Sequence, residues 1–154
     1  MTAKYVPAYC DPENEVRGAK FDRNLSTKEI AARIRAEIKA DTSKGRLPAG
    51  LRVSVRYESF AGGSAIRVHV TQVPDGFRIL NAERVAFERE HPSEWTDLPR
   101  YTAEASALLA AVSVYAKAYH RDNSDLQSDY FDVNFYGGDA SFSWELVSEE
   151  RKGQ

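Results

Sequence analysis

The chain has 154 residues but only one cysteine, Cys10. It cannot close an intrachain disulfide or build a multi-cysteine metal cage, and such usage fits a reducing compartment. No apolar run approaches the roughly 20 residues that a membrane span needs. The opening stretch MTAKYVPAYCDPENEVRGAK is polar and carries two prolines, so no signal-peptide core is expected there and the chain reads as cytoplasmic. Neither sign of charge dominates. Twenty-one basic residues stand against 23 acidic ones, a net charge of -2, which argues against a strongly basic nucleic-acid binder but leaves room for a local patch.

Catalytic patterns are also missing. The histidines His69, His91 and His120 stand far apart without metal-ligand spacing. His91 and His120 each follow a helix, where a cation complements the terminal dipole. No serine or cysteine lies in a nucleophile-elbow pattern, and Cys10 has no motif around it. The glycine pairs at Gly62-Gly63 and Gly137-Gly138 join strands and lack the lysine and following helix of a phosphate loop. The acidic series Asp122, Asp125, Asp129 and Asp132 invites a cation reading. It lacks the alternating ligands, central glycine and closing glutamate of a calcium loop, so solvation and bonding to local backbone amides is the better reading. No catalytic residue, metal ligand or cofactor is assigned.

What is present divides into an irregular arm (1–25), one domain (26–147) and a charged, frayed tail (148–154). With 42% hydrophobic residues, the domain is long enough to bury a core without staples. Ser26 and Glu29 make a capping box, with Leu25 placed to staple against Ile30. Ile30, Ile34 and Ile38, with Ala31 beside them, form the apolar stripe of a first helix. Asn81 caps a short second helix through about Glu90, with Val85 and Arg89 as its spaced positions and His91-Pro92 stopping it. Thr102 caps a third, whose Ala105, Leu108, Leu109, Val112, Tyr115, Ala116 and Tyr119 face inward.

Two hairpins complete the reading. Around Gly62-Gly63, Tyr57 is expected opposite Val68, Val55 opposite Val70, Glu58 opposite Arg67 and Arg56 opposite His69. Around Gly137-Gly138, Phe135 is expected opposite Ala140, Val133 opposite Phe142 and Phe131 opposite Trp144, all facing the core. Both turns share Phe-x-Gly-Gly-x-Ala, at Phe60 to Ala65 and Phe135 to Ala140. The shared turn looks like a duplicated unit, yet aligning the glycines puts Phe60 and Phe135 on opposite faces. The whole is a two-layer α+β domain, an antiparallel sheet of two hairpins packed against helices.

Asn81-Ala82-Glu83-Arg84, the run from Tyr119 through Asp125, and Asp129-Tyr130-Phe131-Asp132-Val133-Asn134-Phe135-Tyr136-Gly137 resemble a family of large polyvalent protein-associated domains, the twenty-ninth of its series. The first hairpin, Val53 to Tyr57 with Gly62 to Ile66, fits as well, and the likeness covers roughly residues 26 to 147. Two places depart from the family pattern: the arm before Ser26 is longer, and Tyr119-His120 stands where Tyr-Asn is expected. Domains of this family occur in phages and conjugative elements, often inside long multi-domain proteins. No catalytic site is carried over. The resemblance implies a mobile-element accessory protein acting in the host cytoplasm on host machinery or defence.

The outer sheet face is the one surface singled out by residue type. Arg52, Arg56, Arg67 and His69 lie on the first hairpin, and Tyr130, Asp132, Asn134 and Tyr136 on the second. Arginine and tyrosine are enriched where proteins bind, because they bury much area and keep a polar handle; the competing reading is an ordinary solvated face. The expected partner is a host or defence protein, with a single-stranded nucleic acid or RNA as the alternative.

Overall fold

A computed structural model describes residues 15–125 and 131–154. Cys10, Asp129 and Tyr130, singled out in the sequence, lie outside the described residues. The elements in chain order are β1 (Val16–Arg17), α1 (Thr27–Ser43), β2 (Arg52–Phe60), β3 (Gly63–Gln72), α2 (Ala82–Glu90), α3 (Ala103–Lys117), β4 (Arg121–Asp122), β5 (Tyr136–Phe142) and α4 (Trp144–Lys152). The class is α+β, a sheet packed against helices.

Local chemistry sets the helix starts as the sequence demands. The Glu29 amide donates to the Ser26 hydroxyl at 3.2 Å, and the Ser26 amide to the Glu29 carboxylate at 2.7 Å, closing the capping box. Ile30, Ala31, Ile34 and Ile38 are buried along α1. Asn81 and Thr102 cap α2 and α3 through the Glu83 and Ala105 amides. Ala105, Leu108, Val112, Ala116 and Tyr119 enter the core, with Leu109 and Tyr115 at its edge. Tyr115 in α3 and Tyr119 just beyond its end both bond to α1: Tyr115 donates to Asp41 at 2.5 Å and Tyr119 to Glu37 at 2.6 Å.

The first hairpin forms with its loop displaced by one residue. Of the expected turn pair Gly62-Gly63, only Gly62 takes positive φ (92°), and Phe60 already pairs with Gly63. Val55 therefore faces Val68, Tyr57 faces Ile66, Arg56 faces Arg67 and Glu58 faces Ala65. Each partner shifts by two positions, so every side chain keeps its expected face. Glu58 and Arg67 still form an ion pair, 2.9 Å across the diagonal.

The second hairpin does not exist. The chain from Asp132 does not return on itself; β5 runs parallel to β3 in a three-stranded sheet of order β2-β3-β5, with α2 and α3 as the crossover. Gly137 and Gly138 both have positive φ, 78° and 94°, but they form a bulge inside β5, where three of its steps match two of β3. The close approach explains the glycines. A Cβ on Gly137 would stand 2.5 Å from the Ile66 carbonyl oxygen, and one on Gly138 would stand 3.0 Å from the Ala116 side chain.

The end of the expected returning strand, from Trp144, and the expected frayed tail are instead a helix. Ser143 caps α4, Val147 is buried, and the Glu150 carboxylate accepts the Ile79 and Leu80 amides at 2.8 and 2.6 Å. Phe135 and Phe142 are core, as expected. Phe131 and Trp144 are not, at 59% and 76% exposed, and Val133 is half-buried in a lone bridge to Asp122. Part of the arm is also ordered, since β1 pairs with β4 and the Gly18 and Lys20 amides bond to His120 and Ala118.

Both free sheet edges meet a side chain from a helix. Arg35 donates to the Val55 carbonyl of β2 at 2.5 Å, and the Ala140 amide of β5 donates to Ser113 Oγ at 2.9 Å. Each bond occupies a backbone group that would otherwise template pairing with another chain.

Candidate functional site

Helices α1 and α3 pack on one face of the sheet, where Val55, Ile66, Val68, Val70 and Phe142 are buried. Strand alternation sends the intervening residues to the other face. There Arg52, Arg56, Glu58, Phe60, Arg67 and Thr71 are exposed, and Ser54, His69 and Ser141 are half-buried. Arg56 and Arg67 stand directly opposite each other across the β2–β3 ladder. Like charges directly opposite are unfavourable, and Glu58 on Arg67 is the ion pair formed there among the described residues.

Tyr136 joins this face at the head of β5, beside Ala65. Its ring lies 5.9 Å from that of Phe60, and the two rings cover Gly63, where a Cβ would meet Tyr136 at 3.1 Å. Tyr136 is 39% exposed and Phe60 43%, so the pair shows aromatic surface to solvent. Phe60 was missed by sequence reasoning, although its alternation with Arg52 and Arg56 places it on their face.

Two expected members are elsewhere. Asp132 precedes β5 and receives both terminal nitrogens of Arg121 at 3.1 Å, and Arg121 also bonds to Glu15. Asp132 first, then Glu15, hold the Arg121 guanidinium above its ordinary pKa; Arg121 and then Arg17 hold the Glu15 carboxyl below its own. Asn134 acts as a clamp: its side chain accepts from the Arg121 amide at 2.9 Å and donates to the Tyr119 carbonyl at 2.8 Å. Both residues are occupied in tying Tyr119 and Arg121 to the stretch before β5, a corner that stands where the outgoing strand assigned to them was expected.

That corner opens on a cleft of about 420 Å³ lined by Val16, His120, Asp122, Phe131, Val133 and Tyr136, among others. Val16 is 68% exposed. His120 donates from Nε2 to the Phe135 carbonyl at 3.0 Å and packs edge-on against the Phe135 ring. Burial pushes the Asp122 carboxyl up, but the Ser124 hydroxyl and amide, with His120 and Arg121 nearby, together bring it below its ordinary value. Its bond to the Ser124 amide, 2.9 Å, is a local turn contact.

His69 Nδ1 lies 2.9 Å from Ser141 Oγ, the contact a hydroxyl nucleophile and its base would share. The pair bridges β3 and β5, whose ladder places His69 beside Ser141. His91 ends α2, stacked on Phe87 at 4.7 Å. Among the described residues no group of three histidine, cysteine or acidic side chains is arranged to hold a metal ion, and no helix is long and apolar enough to cross a membrane. Fold and face thus define an α+β domain with one helix-covered and one open sheet face. Comparison with protein-family models, curated proteins and solved structures finds no match to this chain.

Proposed function

We propose that the chain is a non-enzymatic accessory protein of a phage or mobile element that binds a host or defence protein through the open sheet face. The observation that carries the reading is Arg56 opposite Arg67, beside Arg52 and next to the exposed Phe60–Tyr136 pair. An acidic partner surface offsets the repulsion between the two guanidiniums, and the aromatic pair supplies rigid contact area. The mobile-element context rests on the sequence resemblance alone.

A second reading has a specific observation behind it. Asp132 is held by Arg121 and Glu145 lies in α4, so neither carboxylate stands on the open face to repel a phosphate backbone. Single-stranded nucleic acid stacked on Phe60 and Tyr136 is therefore the rival. Against it stands the net charge of -2, which opposes long-range attraction to a polyanion.

Affinity capture from a host-cell lysate, with and without nuclease, separates the two. Capture of a discrete protein is expected to survive nuclease and to be lost in the double variant Arg56→Ala, Tyr136→Ala. Capture that nuclease abolishes would favour the rival, and equal capture by the double variant would remove the open face from both.

A further inference from the structure

The arginines and the cleft meet at one corner of the molecule. Tyr136 lies on the open face and lines the cleft, as does Gly137 beside it. Arg67 reaches the same rim: its Nη1 lies 3.7 Å from where a Gly137 Cβ would stand. Val16, Phe131, Tyr136 and Phe60 are half of the eight large hydrophobic residues exposed among those described. Three of them line this cleft and the fourth packs on Tyr136. Exposed apolar residues normally scatter singly, and a contiguous patch rimmed by charge marks a contact site.

We infer that the partner segment seated here is an acidic peptide stretch carrying one aromatic or large aliphatic side chain. Its carboxylates lie over Arg56 and Arg67, and its apolar side chain enters the cleft between Val16, Phe131, Val133 and Tyr136. The inference rests on the open face being the binding surface and adds the chemistry of what binds. Charge complementarity selects the acidic part, since three arginines face solvent there against two carboxylates, Glu58 and Asp139. The volume, about 420 Å³, is within the range of small-ligand sites and takes one large side chain.

The test is a ¹H–¹⁵N NMR titration of the full chain with a synthetic peptide of alternating Asp and Glu around one central Trp. Three companion probes are the Trp→Ser peptide, the peptide with every acid replaced by its amide, and oligothymidylate. The complete peptide is expected to shift the Val133, Tyr136 and Gly137 amides together with the Arg56 and Arg67 side-chain signals. Loss of the indole and loss of the carboxylates should each weaken binding by about tenfold. Arg56→Gln with Arg67→Gln, both exposed and so folded, should weaken it about as much, and added salt should weaken it further. Equal binding of the Trp→Ser peptide, shifts confined to other surfaces, or no binding at millimolar peptide would overturn the inference. Tighter binding of oligothymidylate would replace the occupant by nucleic acid. The wider reading survives the first three outcomes if lysate capture still depends on Arg56 and Tyr136, and it falls if capture ignores both.

Discussion

At Gly137 the absence of a β-carbon decides how the chain runs. Its φ of 78° suits glycine, but so does that of Gly45 at 79°, where a Cβ would meet nothing within 4 Å. The left-handed conformation alone costs a side chain about 1–2 kcal/mol. Gly137→Ala adds a collision with the Ile66 backbone, so it should destabilise by at least about 1 kcal/mol more than Gly45→Ala in urea unfolding. Equal losses would mean that Gly137 sits in an open turn. The glycine pair was legible as a demand for positive φ, and that demand is met. Whether it serves a hairpin tip or a bulge is not written locally, because both need the same backbone conformation. The identical Phe-x-Gly-Gly-x-Ala at Phe60 to Ala65 turns the chain, and the one at Phe135 to Ala140 does not.

At the scale of elements, α1, α2 and α3 were legible because their caps and apolar stripes are local signals. Helix α4 carries such signals too: Ser143 as cap, Glu145 in the first turn, Arg151 and Lys152 in the last. The alternation from Phe131 to Trp144 overrode them, since it suits a half-buried strand equally well. Parallel pairing of β5 with β3 was out of reach, because it depends on α2 and α3 carrying the chain back across the sheet. The two aromatics separate the alternatives. Phe135→Ala should cost about 3–5 kcal/mol, as for a buried ring, and Trp144→Ala less than about 1 kcal/mol, as for a surface position. Comparable costs by denaturant unfolding would mean that Trp144 packs in the core on a returning strand.

For the molecule as a whole, the bonds of Tyr115 and Tyr119 to α1 make stability depend on alkaline pH. Burial, and then the hydrogen bond to Asp41, pushes Tyr115 up to about 12; burial, and then the bond to Glu37, does the same for Tyr119. The unfolded phenols titrate near 10. Between these values the folded chain holds more protons than the unfolded one. The stabilisation is therefore complete below pH 10 and is lost as pH rises through about 12. Thermal melts should fall over that window, and less steeply in Tyr119→Phe. A melting temperature flat to pH 12 would contradict the contacts. The candidate site was legible in part, since strand alternation placed Arg52, Arg56, Arg67 and His69 correctly. Asp132 and Asn134 were misplaced along with the strand assigned to them, and the cleft joins residues from β1, the 131–135 stretch and β5, which only the tertiary fold brings together.

The central claim, that the open sheet face is where the partner sits, is tested most directly by blocking it. With Cys10→Ser as background, Glu58→Cys places a thiol on the open face, and Val114→Cys places one on the exposed side of α3, a helix on the covered face. Glu58→Cys leaves the arginines intact and should capture the partner before labelling. After attachment of a bulky maleimide, capture should be lost for Glu58→Cys and retained for Val114→Cys. Undiminished capture by the labelled Glu58→Cys protein would contradict the account.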